Sequence, residues 1–230
     1  MNEEEPTMSI DLSRSLAELV LERPAHARLL ERLGLDYCCG GKRSLAAACA
    51  ERGLDPATVV VFLESALEPS ASESADWTTA SLADLCAHIA EVHHGRLRWE
   101  LRRLADLAAR AGAAHGADRP ELHELRDVFL SLRSELEEHI LDEEEWVFPA
   151  LLAGEVPGAE ELARLEREHD EAGAALHRLR ELTAGYDTAR ALCATHRALL
   201  DGLHGLELEL HQHVHEENNV LFPRARALAA

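Results

Sequence analysis

Two stretches of this chain repeat one pattern, and the repeat restricts the possible folds more than any other feature of its 230 residues. The stretches are HILDEEEWVFP (139–149) and HVHEENNVLFP (213–223), each with glutamate four, phenylalanine nine and proline ten residues after the histidine. A further histidine precedes each stretch at nearly the same distance, 45 residues for His94 and 44 residues for His169. The sequence therefore contains an internal duplication, whose unit is a helix with histidine, a loop, and a helix with His-x-x-x-Glu.

The repeated residues lie on the apolar faces of predicted helices, because their spacing of three or four residues follows the α-helical period. The stripes are Leu125, Phe129, Leu132, Leu136, His139, Glu143 and Val147; Leu162, Leu165, His169, Leu176 and Leu179; and Leu199, Leu203, Leu206, Leu210, His213, Glu217 and Val220. Ionisable residues interrupt each stripe, and burying a carboxylate without a partner costs several kcal/mol. The sequence therefore predicts that something cationic lies between these helices.

The second part of the chain predicts four long helices and no strands. The predicted ranges are 79–112, 120–152, 159–183 and 190–222, separated by loops rich in glycine, proline or aspartate. Short loops make consecutive helices antiparallel, so the predicted fold is all-α, with an up-down-up-down four-helix bundle. Histidines paired across each loop then lie at one level of the bundle, provided that the fourth helix begins late, near Cys193.

At that level the bundle collects four imidazoles and two carboxylates, a donor set that suits a dinuclear site in which the glutamates bridge two metals. The candidate ligands are His94, His139, Glu143, His169, His213 and Glu217. The apolar stripe of the first helix turns His93 inward slightly better than His94, so periodicity leaves this choice open. Glu135 and Glu209 lie one turn before a ligand histidine, where each is either solvated surface or the acceptor of a ring N–H. We interpret the other histidines, His88 among them, as surface or packing residues.

The first part of the chain predicts a small helical domain, 1–67, which a linker, 68–77, joins to the bundle domain, 78–230. The linker contains EPSASESAD, which has no apolar periodicity, and we place the boundary near Ser72. Short helices are predicted at Ser13–Glu22, Pro24–Leu33, Ser44–Arg52 and Pro56–Leu67. Because about 60 residues bury a marginal core, this domain is expected to lean on the bundle or on a partner, as it would in a homodimer.

The small domain contains DYCCGGK, in which Cys38 and Cys39 precede two glycines. The ammonium of Lys42 and a helix that starts near Ser44 would both stabilise a thiolate, so at least one cysteine is expected to react with electrophiles, nitric oxide or iron. The alternative is a tight turn with packed thiols. The chain has five cysteines, an odd number at irregular spacing, which fits reduced thiols better than a disulfide framework.

The charge of the chain excludes some classes of partner. A formal net charge of −20 argues against binding nucleic acid or an anionic lipid surface, because both need a basic face. No apolar run approaches the roughly 18 residues that a spanning helix needs, and the first ten residues are acidic rather than signal-like. We therefore expect no membrane partner and a cytoplasmic location.

Two motifs resemble known families. The series of His94, His139-x-x-x-Glu143, EHDEAG (168–173) and His213-x-x-x-Glu-Asn-Asn-x-Leu-Phe-Pro resembles a hemerythrin-like domain. DYCCGGK before a Leu/Ala-rich helix is similar to the small amino-terminal domain of the iron-sulfur cluster repair di-iron proteins, the Repair of Iron Centres family. The two resemblances, in this order, cover nearly the whole chain.

The resemblance implies a non-haem centre with two iron ions per chain. It also implies that the first ligand is the histidine of His-x-x-Leu-x-x-Glu-Leu, which is His94 rather than His93, and that the other five candidates are ligands too. Oxygen-carrying hemerythrins use five histidines and two carboxylates, whereas this set has four histidines and two glutamates, which leaves more open coordination. Glu144 competes with Glu143 for a ligand position, and helical phase and the match to Glu217 favour Glu143.

The function that the resemblance implies is repair of iron-sulfur clusters damaged by nitric oxide or peroxide. The protein would donate iron or remove nitric oxide, with damaged iron-sulfur proteins as partners and Cys38 and Cys39 as transfer thiols. Two alternatives stay open: a protein that binds or senses dioxygen or nitric oxide without turnover, and an enzyme that reduces nitric oxide at the di-iron centre. The same six ligands serve all three roles.

Overall fold

A computed structural model describes residues 10–65 and 76–228 of the chain. The chain divides into two compact units, one ending at Thr78 and the other beginning at Thr79. Most of the predicted linker, 68–77, lies outside the described residues. The described residues are helical and contain no strand, only an isolated bridge between Ser15 and Ser44, so the all-α fold class is confirmed. Each helix in the described ranges is too short or too polar to cross a membrane.

The described part of the amino-terminal unit contains four short helices: α1 (Leu16–Glu22), α2 (Ala25–Leu33), α3 (Leu45–Arg52) and α4 (Pro56–Glu64). Side chains cap three of them, since Ser15, Ser44 and Asp55 each accept a hydrogen bond from a backbone N–H of the first turn. The helices predicted from the sequence are present. The last one ends at Glu64, with Ser65 as its C-cap, and residues 66 and 67 of the predicted range lie outside the described residues.

A buried histidine ties two helices of the amino-terminal unit together. Nδ1 of His26 lies 2.9 Å from the carbonyl oxygen of Leu19, and its Nε2 lies 3.1 Å from the carbonyl oxygen of Leu63. Both leucines are fully buried in the apolar core of this unit, together with Leu16, Leu30 and Leu45. His26 therefore joins α1 to the end of α4, and its role is structural.

The carboxyl-terminal unit contains four long rods, which we call the first to fourth bundle helices. The first is α5 (Leu82–His88), π1 (Ile89–His94) and α6 (Gly95–His115); the second is α7 (Glu121–Asp142), π2 (Glu143–Val147) and α8 (Phe148–Leu152); the third is α9 (Ala159–Leu182); the fourth is α10 (Ala194–Glu216), π3 (Glu217–Leu221) and α11 (Phe222–Ala227). A short 3₁₀ turn, Thr188–Arg190, occupies the place where the fourth helix was predicted to begin. The helix begins after Cys193, as the argument from axial level required.

The bundle has an apolar core on one side of the repeated histidines. Helix α6 packs against α7 and α10, and α7 packs against α9. Leucines and a phenylalanine from all four rods, among them Leu101, Phe129, Leu179 and Leu203, are fully buried there. Burial of such side chains contributes roughly 1.5–3 kcal/mol each. This core holds the rods in register, so that the repeated polar residues meet in a layer beyond it.

Three segments of the bundle are π-helical, which the sequence did not predict. The first ends at His94, the second begins at Glu143 and the third begins at Glu217. A π-turn holds one residue more than an α-turn, is rare, and occurs mostly at functional sites. All three segments therefore mark the layer that contains the candidate ligands.

Candidate metal centre

The structure brings the six candidate ligands together in one buried layer. They form two groups that share a residue: His94, Glu143, His213 and Glu217 in one, and His139, His169 and Glu217 in the other. All six side chains are buried. The internal duplication therefore converges, as predicted, on one cluster of four imidazoles and two carboxylates.

Glu217 reaches both groups. Its Oε1 lies 2.7 Å from Nε2 of His213, and its Oε2 lies 3.1 Å from Nε2 of His169. Two donors that each lie about 2.1 Å from one metal ion are about 3.0 to 3.4 Å apart in octahedral or tetrahedral geometry. Oε2 of Glu217 and Nε2 of His169 are thus separated as two donors to one ion would be, whereas Oε1 and Nε2 of His213 lie somewhat closer together.

Glu143 reaches the same two groups from the second bundle helix. Its Oε2 lies 3.3 Å from Nε2 of His94 and 3.5 Å from Nε2 of His139. Within the part of the chain that the structure describes, neither oxygen of this fully buried carboxylate accepts a hydrogen bond. A buried carboxylate without hydrogen bonds is strongly destabilising unless a cation compensates it. The residues present therefore fit metal ions bound between the rods.

Three of the four imidazoles are held by polar groups that leave Nε2 facing the centre. Nδ1 of His94 donates to Oε1 of Glu144 (2.9 Å), and Glu144 in turn binds Arg98. Such a partner fixes the tautomer and the orientation of a metal-binding imidazole. Glu144 is therefore not a competing ligand but the residue that orients His94.

The other two imidazoles are oriented in the same way. Nδ1 of His139 donates to Oε2 of Glu168 (2.8 Å), and Nδ1 of His169 donates to Oδ1 of Asn218 (2.8 Å). In contrast, Nδ1 of His213 is buried and finds no hydrogen-bond partner among the described residues. Three of the four rings are thus prepared to present Nε2 to a cation.

Neither Glu135 nor Glu209 orients the candidate ligand that follows it on the same helix, so that alternative is wrong for His139 and His213. Glu135 accepts a hydrogen bond from Ser131 (2.8 Å), and Glu209 accepts one from His93 (2.8 Å). The physical reason is that Nδ1 of each oriented ligand ring faces a neighbouring rod, whereas Glu135 and Glu209 lie on the preceding turn of the same helix as His139 and His213. Helical spacing alone does not reveal which way a ring nitrogen faces.

His93 and His94 are both buried, although they are adjacent in the sequence. His94 lies in the centre, as the family resemblance implied, and His93 joins a separate group with His88 and Glu216. Helical periodicity predicts that only one of the two points inward, because an α-helix rotates by about 100° per residue. The π-turn that ends at His94 changes this phase. Val92 lies at α-helical spacing from Leu82, Leu85 and Ile89, yet it is 39% exposed.

The buried carboxylates change the proton affinity of the histidines. Burial lowers the pKa of His94, but the neighbouring Glu143 and Glu217 outweigh it and raise this pKa to about 10. For His169 the same balance, dominated by Glu217 on the raising side, gives a pKa of about 9. Burial of Glu217 favours its neutral form, yet His213 and His169 hold its pKa well below the ordinary value. Without metal, protons on the histidines therefore compensate the buried carboxylates.

The stability of the metal-free protein is expected to fall as pH rises. The folded pKa of His169 exceeds its unfolded value near 6.5, so its contribution is complete below pH 6.5 and lost as pH passes 9. A shift of this size corresponds to ~3 kcal/mol, and His94 acts in the same direction up to about pH 10. Urea unfolding of chelator-treated protein at pH 6.5 and pH 9 measures the loss. Iron-loaded protein is the control, since metal replaces these protons, and equal stability of the metal-free protein at both pH values would contradict the prediction.

The loop of the amino-terminal unit that contains Cys38 and Cys39 is organised by Asp36. The carboxylate of Asp36 accepts hydrogen bonds from the backbone N–H of Cys38 (3.0 Å) and of Gly40 (2.9 Å). Sγ of Cys38 is buried, 3.2 Å from Oδ1 of Asp36 and 3.9 Å from Sγ of Cys39. The hydrogen bond with Cys39, burial and Asp36 raise the pKa of Cys38 well above that of an ordinary thiol.

For Cys38 this is the opposite of the thiolate that the sequence suggested, because the loop folds back on Asp36. Cys39 is half-buried and is the more accessible of the two thiols. The side chain of Lys42 is exposed, and α3 begins after Ser44, where the sequence placed a helix start. The loop is therefore a tight turn with one packed and one accessible thiol.

Gly41 has no space for a side chain, and replacing it with alanine is expected to disrupt the loop. An added Cβ would lie 2.3 Å from the carbonyl oxygen of Tyr37, which is backbone and has little freedom to move. Overpacking of this kind costs about 1–3 kcal/mol. We expect Gly41→Ala to lower the melting temperature of the amino-terminal unit in calorimetry. The control is Gly173→Ala, because a Cβ added at Gly173 meets open space. Gly53→Ala is unsuitable as a control because Gly53 has a φ of +65°, which strains any other residue.

Comparisons with known proteins agree with this division of the chain. Residues 87–225 match the model of the hemerythrin HHE cation binding domain. Residues 12–67 match a second model, ScdA_N, described as a domain of unknown function (DUF542). The first match contains all six candidate ligands, and the second contains the Cys-Cys loop. The cation-binding domain and the two buried donor groups together point to an iron centre in the bundle.

Curated relatives match over almost the whole chain. The protein named iron-sulfur cluster repair protein YtfE of Pectobacterium carotovorum subsp. carotovorum (strain PC1) is 36% identical over 215 residues, covering 92% of this chain and 96% of that protein. YtfE of Edwardsiella ictaluri (strain 93-146) is 37% identical over 218 residues, with the same coverage. YtfE of Escherichia coli O17:K52:H18 (strain UMN026 / ExPEC) is 35% identical over 214 residues, again with 92% and 96% coverage.

Proposed function

Because this chain belongs to the family of iron-sulfur cluster repair proteins with a hemerythrin HHE cation-binding domain, we propose that it repairs iron-sulfur clusters damaged by oxidative or nitrosative stress. The observation that carries the proposal is the buried layer of six donors, in which the fully buried Glu143 accepts no hydrogen bond from the described residues. Damaged iron-sulfur proteins are then the partners of this chain.

The proposed centre holds two iron ions. His94 and His213 would bind one ion, His139 and His169 would bind the other, and the two glutamates would bridge them. The pairing follows from the short distances between ring nitrogens: Nε2 of His94 lies 3.2 Å from Nε2 of His213, and Nε2 of His139 lies 3.0 Å from Nε2 of His169. Imidazole and carboxylate donors suit iron.

The donor count supports release of iron or binding of a small ligand. Two imidazoles and two bridging oxygens give each ion four protein donors, fewer than the six of an octahedral site. When bound, iron with open positions supplies redox chemistry and a binding place for nitric oxide or dioxygen. The protein's own contribution is to hold the Nε2 atoms in place and to exchange protons for metal at His94 and His169.

The cysteine loop is the proposed contact with the damaged cluster. Cys39 is the more accessible thiol and lies next to Cys38, so two sulfur atoms are available to a client iron atom or to nitric oxide. Thiolates are good ligands for the iron of iron-sulfur clusters. Because burial and Asp36 disfavour the thiolate of Cys38, we propose that Cys39 makes the first contact.

Isotope transfer tests the proposed repair. Protein loaded with iron-57 is mixed anaerobically with a [4Fe-4S] dehydratase that nitric oxide has inactivated, and the dehydratase is then separated and assayed. Donation predicts recovered activity and iron-57 in the client cluster by Mössbauer spectroscopy. Removal of nitric oxide predicts recovery without iron-57 in the client and a nitrosyl signal on this chain. No recovery beyond that obtained with metal-free protein would contradict both routes.

A further inference from the structure

A third group of metal-binding side chains lies outside the six ligands of the centre. Nε2 of His88 and Nε2 of His93 lie 3.3 Å and 3.2 Å from the same oxygen, Oε2 of Glu216. The two rings are perpendicular, with centroids 5.0 Å apart. We propose that His88, His93 and Glu216 form a third metal site, which binds one divalent transition-metal ion of the Fe²⁺ or Zn²⁺ class.

The donor set and its dimensions fit such an ion. Two imidazoles and one carboxylate form the set that holds ferrous iron in many non-haem proteins, and zinc accepts the same donors. Donors about 2.1 Å from one ion are about 3.0 to 3.4 Å apart. The separations of both ring nitrogens from Glu216 fall in this range, as do several of those in the di-iron layer.

His93 is oriented by the same device as the ligands of the centre. Its Nδ1 donates to Oε1 of Glu209 (2.8 Å), and the other oxygen of Glu209 binds Arg96 (2.7 Å). The same series of contacts, from imidazole to carboxylate to arginine, is found at His94, which donates to Glu144, and Glu144 in turn binds Arg98. In both cases Nε2 is the nitrogen left to face the donor group.

The backbone explains how neighbouring residues serve two sites. The π-turn that ends at His94 buries both His93 and His94, and each points into a different group. On the fourth bundle helix the adjacent Glu216 and Glu217 divide in the same way. The ring of His93 stacks on that of His213 at a centroid distance of 5.2 Å, so the third group lies directly beside the centre.

The third group is nearer to solvent than the centre. The side chain of His88 is 20% exposed, whereas those of His94, Glu143 and Glu217 are not exposed. An ion bound by His88 and Glu216 is therefore expected to exchange with solution faster than the ions of the centre. This difference allows the two kinds of site to be told apart in solution.

Metal stoichiometry tests the third site. Chelator-treated full-length protein is dialysed to equilibrium against Co²⁺ and against Zn²⁺, and bound metal is counted by mass spectrometry of the elements. We expect three ions per chain in the wild type and two in His88→Ala and in Glu216→Gln. Bound Co²⁺ also has a ligand-field absorption spectrum. The part of this absorption that comes from the fastest-exchanging ion should be absent in both variants. The control is His177→Ala, because His177 is an exposed histidine away from the group, and it should keep three ions.

Two results would overturn the third site. One is a count of two metal ions per chain in the wild type, which would mean that His93 contacts Glu209 and Glu216 only as an ion pair. The other is a third equivalent that persists in both variants. Glu217→Ala protein is expected to lose both ions of the centre and to keep one ion, so its metal count reports on the third site alone. Circular dichroism of each variant verifies that it is folded, and His88→Ala is the variant least expected to disturb packing because its side chain is partly exposed.

Discussion

Replacing Glu217 with alanine is expected to empty both iron positions of the proposed centre. The carboxylate contacts one histidine of each pair, with Oε1 beside His213 and Oε2 beside His169. Loss of a residue that only orients a ligand lowers metal affinity about 10- to 100-fold, so loss of a bridging ligand is expected to exceed that range. Iron content and Mössbauer spectra of protein expressed with iron-57 measure the effect.

Two further variants make this result specific. His139→Ala removes one donor from one pair and is expected to uncouple the irons and lose one of them first. Glu135→Ala is the matched control, because Glu135 lies one turn before His139 but binds Ser131 rather than the centre. Two exchange-coupled irons in Glu217→Ala protein would contradict the bridging role of this carboxylate.

Substituting Cys38 and Cys39 together with serine is expected to abolish repair and leave the iron centre intact. Serine hydroxyls are poor ligands for iron and are not ionised at neutral pH, whereas thiolates bind it and react with nitric oxide. The six candidate iron ligands all lie in the other unit of the chain. The isotope-transfer assay, run beside Mössbauer spectra of the variant, measures both properties.

The control for the double variant is Cys193→Ser. Cys193 is also half-buried, and it caps α10 by accepting a hydrogen bond from the backbone N–H of His196, a role that serine fills well. Repair by the double variant at the wild-type rate would exclude the two cysteines as transfer thiols. A separate substitution of each cysteine then shows whether Cys39, the more accessible thiol, carries most of the effect.

Much of the bundle and its site could be predicted because the duplication provides an internal comparison. A single buried histidine is ordinary, but His139 and His213 recur with the same partners at the same spacing, so helical phase could be tested twice. The same comparison predicted that the fourth helix begins late, near Cys193, and the helix does begin directly after this residue. Regular α-helix translates spacing into direction, and the spacing correctly predicted that His139, His169 and His213 face the interior of the bundle.

The predictions failed where direction depends on something other than α-helical spacing. The contacts of His88 and His93 with Glu216 were not predicted, because a π-turn changes the phase in the middle of the first rod. The carboxylates that orient the ligand rings come from neighbouring rods, as Glu168 does for His139, and spacing along one helix contains no information about them. The high pKa of Cys38 has a similar origin, since it depends on how the loop folds back.

The π-turns also show where the two halves of the duplicated bundle differ. The second and fourth rods carry a π-turn at equivalent glutamates, Glu143 and Glu217. The first rod carries one at Ile89–His94, whereas the third, Ala159–Leu182, is α-helical throughout. The residue of the third rod that corresponds to His93 is Glu168, which accepts a hydrogen bond from His139. At this one repeated position, therefore, the first half places an imidazole beside the centre and the second half places a carboxylate that orients a ring of the centre.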